Sequence, residues 1–174
     1  PHRPLTRLVC IENTMNKGGG AIYDFNELVR IEEVCRQHGL KYHLDGARLF
    51  NAIVETEKKP ADFGRIFDSI SICLSKGLGA PVGSLLIGDN DFIRKARRIR
   101  KVLGGGMRQA GFLAAAGKYA LLNHIDRLKE DHIKARQIGE MLKKLPFVSH
   151  IVPIDTNMIF FHLDDSMPSD TFLK

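Results

Sequence analysis

No run of apolar residues in this 174-residue chain approaches the ~20 needed to cross a bilayer, and its first residues lack the charged-then-apolar pattern of a secretory signal. Cysteine is scarce. Cys10, Cys35 and Cys73 stand alone without a Cys-x-x-Cys pair, which argues against a zinc site or a redox dithiol and for a reducing cytoplasm. His124, His132, His150 and His162 show no ligand spacing with acids or cysteines, so no metal site is expected. Internal repeats and low-complexity segments are also absent. The net charge of +6 comes most densely from Arg94, Lys95, Arg97, Arg98, Arg100 and Lys101, but no aromatic platform accompanies it. Phe92, Ile93, Ala96, Ile99 and Leu103 fall on the other side at helical spacing, which predicts the solvated face of an amphipathic helix and no nucleic-acid partner. A basic balance still suits an anionic cofactor.

At 44% apolar residues the chain can bury a sizeable core, and its length suggests one domain or slightly more. It opens on Pro1 and stops at Lys174, just past a Ser-Asp pair that resembles a helix start, so an internal piece of a longer protein is expected. Leu8 to Glu12 reads as a buried strand and Thr14 to Gly20 as a loop. Asp24 with Glu27 three residues on is the signature of a reciprocal cap, opening a helix with Leu28, Ile31 and Cys35 on its apolar side and Gly39 at its end. Leu40 to Leu44 is a second strand, Gly46 to Glu55 a short helix, Lys58-Lys59-Pro60 a turn, and Asp68 to Leu74 a third strand. Val82 to Ile87 is a fourth strand, and Asp89-Asn90-Asp91 caps the basic helix. After Gly104-Gly105-Gly106 come helices over Gln109 to Asn123 and Asp126 to Leu145, then strands over Val148 to Val152 and Met158 to Leu163. The alternation of strand and helix predicts an α/β fold with parallel strands, and a boundary is expected within residues 125–145.

Two strings stand where a strand runs out into a loop: His43-Leu44-Asp45-Gly46-Ala47-Arg48 and Leu74-Ser75-Lys76-Gly77-Leu78-Gly79. Lys76 follows Asp45 by 31 residues, a spacing that suits neighbouring strands joined by a helical connection, with both side chains at one sheet edge. A lysine amine for a Schiff base and a carboxylate to keep a pyridine nitrogen protonated are what pyridoxal 5'-phosphate requires. A lysine carried out of a packed strand is desolvated unless something uses it, and desolvation makes it more nucleophilic. The alternative for Lys76 is an ordinary loop lysine, and for Asp45 an N-cap for the helix beginning near Ala47. Arg48 offers a planar fork for a carboxylate or a phenolate oxygen, or else a surface salt bridge. Ser75 and the glycine-rich turns, Gly104 to Gly106 included, can supply donors to a phosphate. Lys101 and Arg108 flank that triplet and can reach an anion across a subunit interface. His43 is expected to be a packed or hydrogen-bonded core histidine.

Four motifs carry a resemblance that covers nearly the whole chain in register. They are Ile11-Glu12-Asn13-Thr14, the string from His43 to Ala52, the string from Ile72 to Ser84, and Gly104-Gly105-Gly106-Met107-Arg108-Gln109-Ala110-Gly111. Together they resemble the low-specificity L-threonine aldolases. That resemblance implies an aspartate-aminotransferase-like fold: a three-layer large domain with a mostly parallel sheet, partial here over residues 1–125, then a connecting helix and the start of a small α+β C-terminal domain over residues 126–174. It implies pyridoxal phosphate as cofactor, Lys76 as the Schiff-base lysine, Asp45 as partner of the pyridine nitrogen, Arg48 as a cofactor or substrate contact, and Ser75 near the cofactor. Lys101 and Arg108 look like residues that approach from a neighbouring subunit of a homodimer or homotetramer with shared active sites. Asp155-Thr156-Asn157-Met158 matches the opening of the small domain. The implied activity is retro-aldol cleavage of L-threonine or L-allo-threonine, a small amino-acid substrate, to glycine and acetaldehyde in the cytoplasm, with no membrane partner. Another pyridoxal phosphate reaction (β-elimination or transamination) and a non-catalytic remnant are the competing readings. Two departures bear on this: Met15 stands where many members have a histidine that handles the substrate's β-hydroxyl, and the family's N-terminal phosphate-binding loop, ring-stacking histidine and C-terminal carboxylate-gripping arginine have no counterpart.

Overall fold

A computed structural model describes residues 4–173. Four strands form one sheet in the order β1-β2-β3-β4: β1 (Leu8–Glu12), β2 (Lys41–Asp45), β3 (Ser69–Cys73) and β4 (Ser84–Gly88). The first three are parallel and β4 is antiparallel to β3, so the sheet is mixed and mostly parallel. The first connection runs through α1 (Phe25–Gln37), the second through α2 (Leu49–Glu55) and α3 (Pro60–Ile66). Helices α4 (Asn90–Val102), α5 (Gly111–Asn123) and α6 (Leu128–Leu142) follow, then an antiparallel pair, β5 (Val148–Ile151) with β6 (Phe161–Leu163), and a short α7 (Ser169–Phe172).

The period-2 alternation of β2 and β3 decides which face is core. Tyr42, Leu44, Ile70 and Ile72 are buried against Leu28 and Cys35 of α1, Leu49 and Phe50 of α2, and Phe63 of α3. Their alternates, His43 and Asp45 on β2 with Ser69, Ser71 and Cys73 on β3, are only half-buried. His43 Nδ1 lies 2.8 Å from Ser69 Oγ, the hydrogen-bonded histidine expected. β1 is a strand as expected but not a buried one, because it lies at the sheet edge with Leu8 exposed.

Local signals account for the element ends and for several differences. Asp24 Oδ1 caps α1 by accepting from the Asn26 and Glu27 N–H groups, whereas the Glu27 carboxylate, expected to reach back to the cap, accepts from Arg30 instead. Gly39 takes a left-handed φ of +63° just beyond the helix. The expected helix from Gly46 begins only at Leu49, and the expected turn at Lys58-Lys59-Pro60 opens a helix, α3. There Pro60 fits the first helical position, where no N–H partner is needed, and the Asp62 carboxylate accepts from Lys59 N–H at 2.8 Å. Asp89 caps α4 through Phe92 N–H at 2.7 Å, but no residue of α4 is buried: its apolar side, with Phe92, Ile99 and Leu103, is exposed as well as its basic side. No helix of the described residues is long and apolar enough to cross a membrane.

Candidate active site

Asp45, the last residue of β2, is the register partner of Ser71 at the middle of β3, so β3 runs two residues further toward the carboxyl edge, where open α/β sheets place their ligands. The chain leaves this edge by two loops. The first begins at Gly46, whose N–H donates to Ser71 O at 2.8 Å; a Cβ there would also lie 2.8 Å from that oxygen, so only glycine permits the approach. Asp45 is half-buried. Its carbonyl accepts from Asn13 N–H at 3.0 Å and its Oδ1 from Ala47 N–H at 3.1 Å. The carboxylate is therefore held in a local turn rather than spent as the cap of α2, whose N-cap position belongs to Arg48. Oδ2 has no hydrogen-bond partner among the described residues. The Arg48 guanidinium, mostly buried, lies 3.8 Å from Glu12 Oε1 at the end of β1, so the salt bridge weighed for it is present, though loose.

The second loop carries Ser75 and Lys76, both exposed. Its ends are tied by Leu74 N–H to Gly83 O at 2.9 Å and Ala80 N–H to Leu74 O at 3.0 Å, and its tip by Gly79 N–H to Lys76 O at 2.8 Å. Gly79 adopts φ +74°, which a Cβ would strain. Leu78 and Ala80 are buried and anchor the loop from within. The Lys76 amine makes no hydrogen bond or ion pair among the described residues, and the desolvation expected of it is not supplied by this chain. Lys101, on the last turn of α4, and Arg108, on the connection to α5, are also exposed and form no ion pair among the described residues.

Several residues around the site were not singled out for it by sequence. His124 Nδ1 lies 2.7 Å from Leu78 O and so holds the Lys76 loop. Asn13 and Thr14, directly after β1, are buried with the Asn13 amide and Thr14 hydroxyl unpartnered among the described residues. Behind the loop, fully buried His132 of α6 joins Glu55 and Asn51 of α2: Nδ1 is 2.5 Å from Glu55 Oε1 and Nε2 is 3.0 Å from Asn51 Nδ2. Burial pushes the Glu55 carboxyl up, but the His132 hydrogen bond and the Arg136 guanidinium outweigh it and hold Glu55 below the usual carboxylate range. The signal in the sequence is one histidine at the helical spacing of Leu128, Ala135 and Gly139 in an otherwise strongly charged helix, which is not specific. Met15 N–H donates to Ala21 O, and Gly20 N–H to Met15 O, closing the β1–α1 loop on itself. That loop also meets the segment before β6, where the Thr156 hydroxyl donates to Gly20 O at 2.9 Å.

The chain as a whole is similar to several known proteins. Low-specificity L-threonine aldolase 1 of Arabidopsis thaliana is 43% identical over 163 residues, 93% of this chain and 46% of that protein. The low specificity L-threonine aldolase of Escherichia coli K12 is 44% identical over 164 residues, 94% and 48% respectively. The chain thus spans about half the length of the curated relatives it matches. The solved threonine aldolase of Leishmania major superposes with a TM-score of 0.79 at 28% identity, over 97% of this chain and 49% of that one. A cystathionine gamma-lyase from Lactobacillus plantarum, 18% identical with a TM-score of 0.66 over 96% of this chain and 46% of its own, shares the fold. The beta-eliminating lyase family model matches residues 1–166, and the chain belongs to that family.

Proposed function

We propose that the protein containing this chain is a pyridoxal phosphate-dependent carbon–carbon lyase that cleaves L-threonine or L-allo-threonine to glycine and acetaldehyde. The observation that carries this is the parallel pairing of β2 with β3, which brings the exits of Asp45 and Lys76 to one edge of the sheet. Members of the family and the threonine aldolases use pyridoxal phosphate. The donor set here fits it. Asp45 offers one oxygen already fixed by Ala47 N–H and a second with no partner among the described residues, and Lys76 offers an amine equally uncommitted. When bound, the cofactor supplies a carbonyl for an amine and a ring that draws electrons from bonds at the amino acid's α-carbon.

In this reading Lys76 is the amine that holds the cofactor and yields its place to the substrate. Asp45 keeps a proton on the ring nitrogen, and the Ala47 hydrogen bond stops its carboxylate from rotating away. Arg48 is a cofactor or substrate contact whose loose pairing with Glu12 leaves its donors available. Ser75 sits beside Lys76 as a hydroxyl donor to the cofactor. Lys101 and Arg108 reach the site of a neighbouring subunit in a homodimer or homotetramer, supported by the exposed apolar residues around them, Val102, Leu103, Met107 and Phe112. Residues 1–125 form the partial cofactor domain, and residues 126–174 the connecting helix and start of the small domain of a cytoplasmic enzyme.

Met15 favours keeping a second reading, β-elimination or transamination on the same cofactor, because a thioether neither accepts a proton nor orients an alcohol. The test is the complete protein with pyridoxal phosphate and L-threonine, with products assayed. Glycine with acetaldehyde supports the aldolase; a keto acid, released with ammonia by β-elimination or without it by transamination, supports the second reading. Failure to bind pyridoxal phosphate at all removes both.

A further inference from the structure

Asp155, Thr156 and Asn157, on the stretch between β5 and β6, each reach back to an earlier part of the chain. Asp155 Oδ2 accepts from Ile22 N–H at 3.4 Å, the Thr156 hydroxyl donates to Gly20 O at 2.9 Å, and Asn157 Oδ1 accepts from Asn51 Nδ2 at 3.3 Å. The middle bond is the shortest, and both of its residues are buried, Thr156 completely. Gly20 closes the loop between β1 and α1. Its N–H donates to Met15 O at 2.9 Å, and the Met15 N–H donates to Ala21 O at 3.1 Å, so residues 15–21 are drawn into a ring with Met15 and Ala21 at its neck. That neck lies beside the edge that carries the candidate site. Two residues before Met15, the Asn13 N–H donates to Asp45 O at 3.0 Å, and Glu12 is the register partner of Asp45. From Thr156 to Asp45 every link is therefore a hydrogen bond or a peptide bond: Thr156 to Gly20, Gly20 to Met15, Met15 through Thr14 to Asn13, and Asn13 to Asp45. Gly20 O has no other hydrogen-bond partner among the described residues, so removing the hydroxyl leaves a buried acceptor bare, a cost the chain relieves by turning the loop outward to water.

We propose that Thr156 is a positioning residue whose hydroxyl, held by the segment leading into β6, fixes the β1–α1 loop and through it the Asn13 contact with Asp45. The consequence for catalysis rests on the function proposed above, because it needs Asp45 in the site; the hold on the loop does not. Thr156 touches neither cofactor nor reacting atoms in this scheme and acts through Gly20. The hydroxyl and the carbonyl it serves are 136 positions apart, so the loop at the site edge is set only once the β5–β6 unit has docked. The position also separates two roles cleanly. Valine has the shape of threonine without the donor, and serine has the donor without the methyl group. Packing alone favours valine at a fully buried position, whereas the hold on Gly20 O favours serine.

The experiment is hydrogen–deuterium exchange on the complete protein loaded with pyridoxal phosphate, read by mass spectrometry together with kcat and KM for L-threonine. Thr156→Val should exchange about tenfold faster over residues 13–21 while α1 stays at the wild-type rate, since only the loop is released. Its kcat should fall about tenfold with KM within about twofold, because a displaced carboxylate weakens the transition state more than it weakens substrate binding. Thr156→Ser should behave as wild type in both readouts. Wild-type exchange over residues 13–21 in Thr156→Val overturns the proposal, and so does exchange that rises equally across the whole chain, which marks lost packing. A loosened loop with unchanged kcat overturns the link to the site. If Thr156→Val does not fold, Thr156→Ser decides alone: a wild-type loop supports the hydroxyl as the holding group, and a loosened one overturns it. A wild-type protein that releases no glycine from threonine sinks the aldolase reading, while the exchange comparison still decides whether Thr156 holds the loop.

Discussion

Gly46 and Ser71 touch backbone to backbone: the glycine N–H donates to the serine carbonyl at 2.8 Å, and this bond joins the residue after Asp45 to the strand that leads to Lys76. Because a Cβ on residue 46 would lie 2.8 Å from that same carbonyl oxygen and 3.1 Å from Leu49 Cβ, neither neighbour being the end of a flexible chain, Gly46→Ala forces the two strand exits apart. The expected cost is about 1–3 kcal/mol, as for overpacking elsewhere. Urea denaturation of the whole protein measures it, and an unchanged midpoint would show that the exits yield without cost.

Asp45 makes a sharper prediction because only half of its carboxylate is engaged. Asp45→Asn keeps an oxygen able to accept from Ala47 N–H, so the turn and the fold survive, but it removes the charge that would hold a proton on the ring. Turnover of L-threonine should fall by at least about a hundredfold, the scale of losing one electrostatic contact in a preorganised site. Circular dichroism and the melting temperature should stay close to wild type. Normal turnover in this variant would refute the assignment of Asp45.

How far the sequence could be read follows from the range of each signal. The placement of Asp45 at the end of β2 and of Lys76 just beyond β3 was legible because strand period, flanking glycines and a helical connection are all local patterns. Burial was less so. Leu8 to Glu12 has the composition of a buried strand, yet a strand's burial depends on its neighbours in the sheet, and β1 has only β2. Helix α3 was missed because Lys58-Lys59-Pro60 looks like a turn until Asp62 is seen to bond back to Lys59. The network of Asn51, Glu55, His132 and Asn157 joins residues as many as 106 positions apart, and no spacing rule links them.

Glu55 gives a pH prediction with a definite sign. Its folded pKa is lowered, so the stabilisation it provides is fully present above its unfolded value, about 4.3, and is lost as the pH falls through the folded value. The stability difference between wild type and Glu55→Gln should be constant above about pH 5.5 and shrink on acidification below about pH 4.5. Denaturation midpoints at a series of pH values test this. A difference that grows toward acid would reverse the assigned shift.

The exposed apolar residues beside Lys101 and Arg108 predict self-association. Val102, Leu103 and Phe112 are 85%, 80% and 91% exposed, more than a soluble surface ordinarily leaves uncovered at adjoining positions. Sedimentation of the complete protein should give a dimer or tetramer, and Leu103→Asp combined with Phe112→Asp should shift it toward monomer while reducing activity. A wild-type monomer with full activity would show that Lys101 and Arg108 serve no neighbouring site.

Gly64 supplies the contrast that separates required glycines from tolerated ones. It lies inside α3, exposed, with no heavy atom within 4 Å of where a Cβ would stand and no left-handed φ. Nothing in the fold needs a glycine there, while the unfolded chain gains backbone entropy from it. Gly64→Ala should therefore stabilise the protein by about 0.5–1 kcal/mol, the usual gain for replacing glycine within a helix. The same substitution destabilises at Gly46, where the neighbour is a backbone carbonyl. Measured side by side by urea denaturation, the two variants should move the midpoint in opposite directions; movement in the same direction would mean that entropy of the unfolded chain, rather than the close approach at Ser71, decides the stability at both positions.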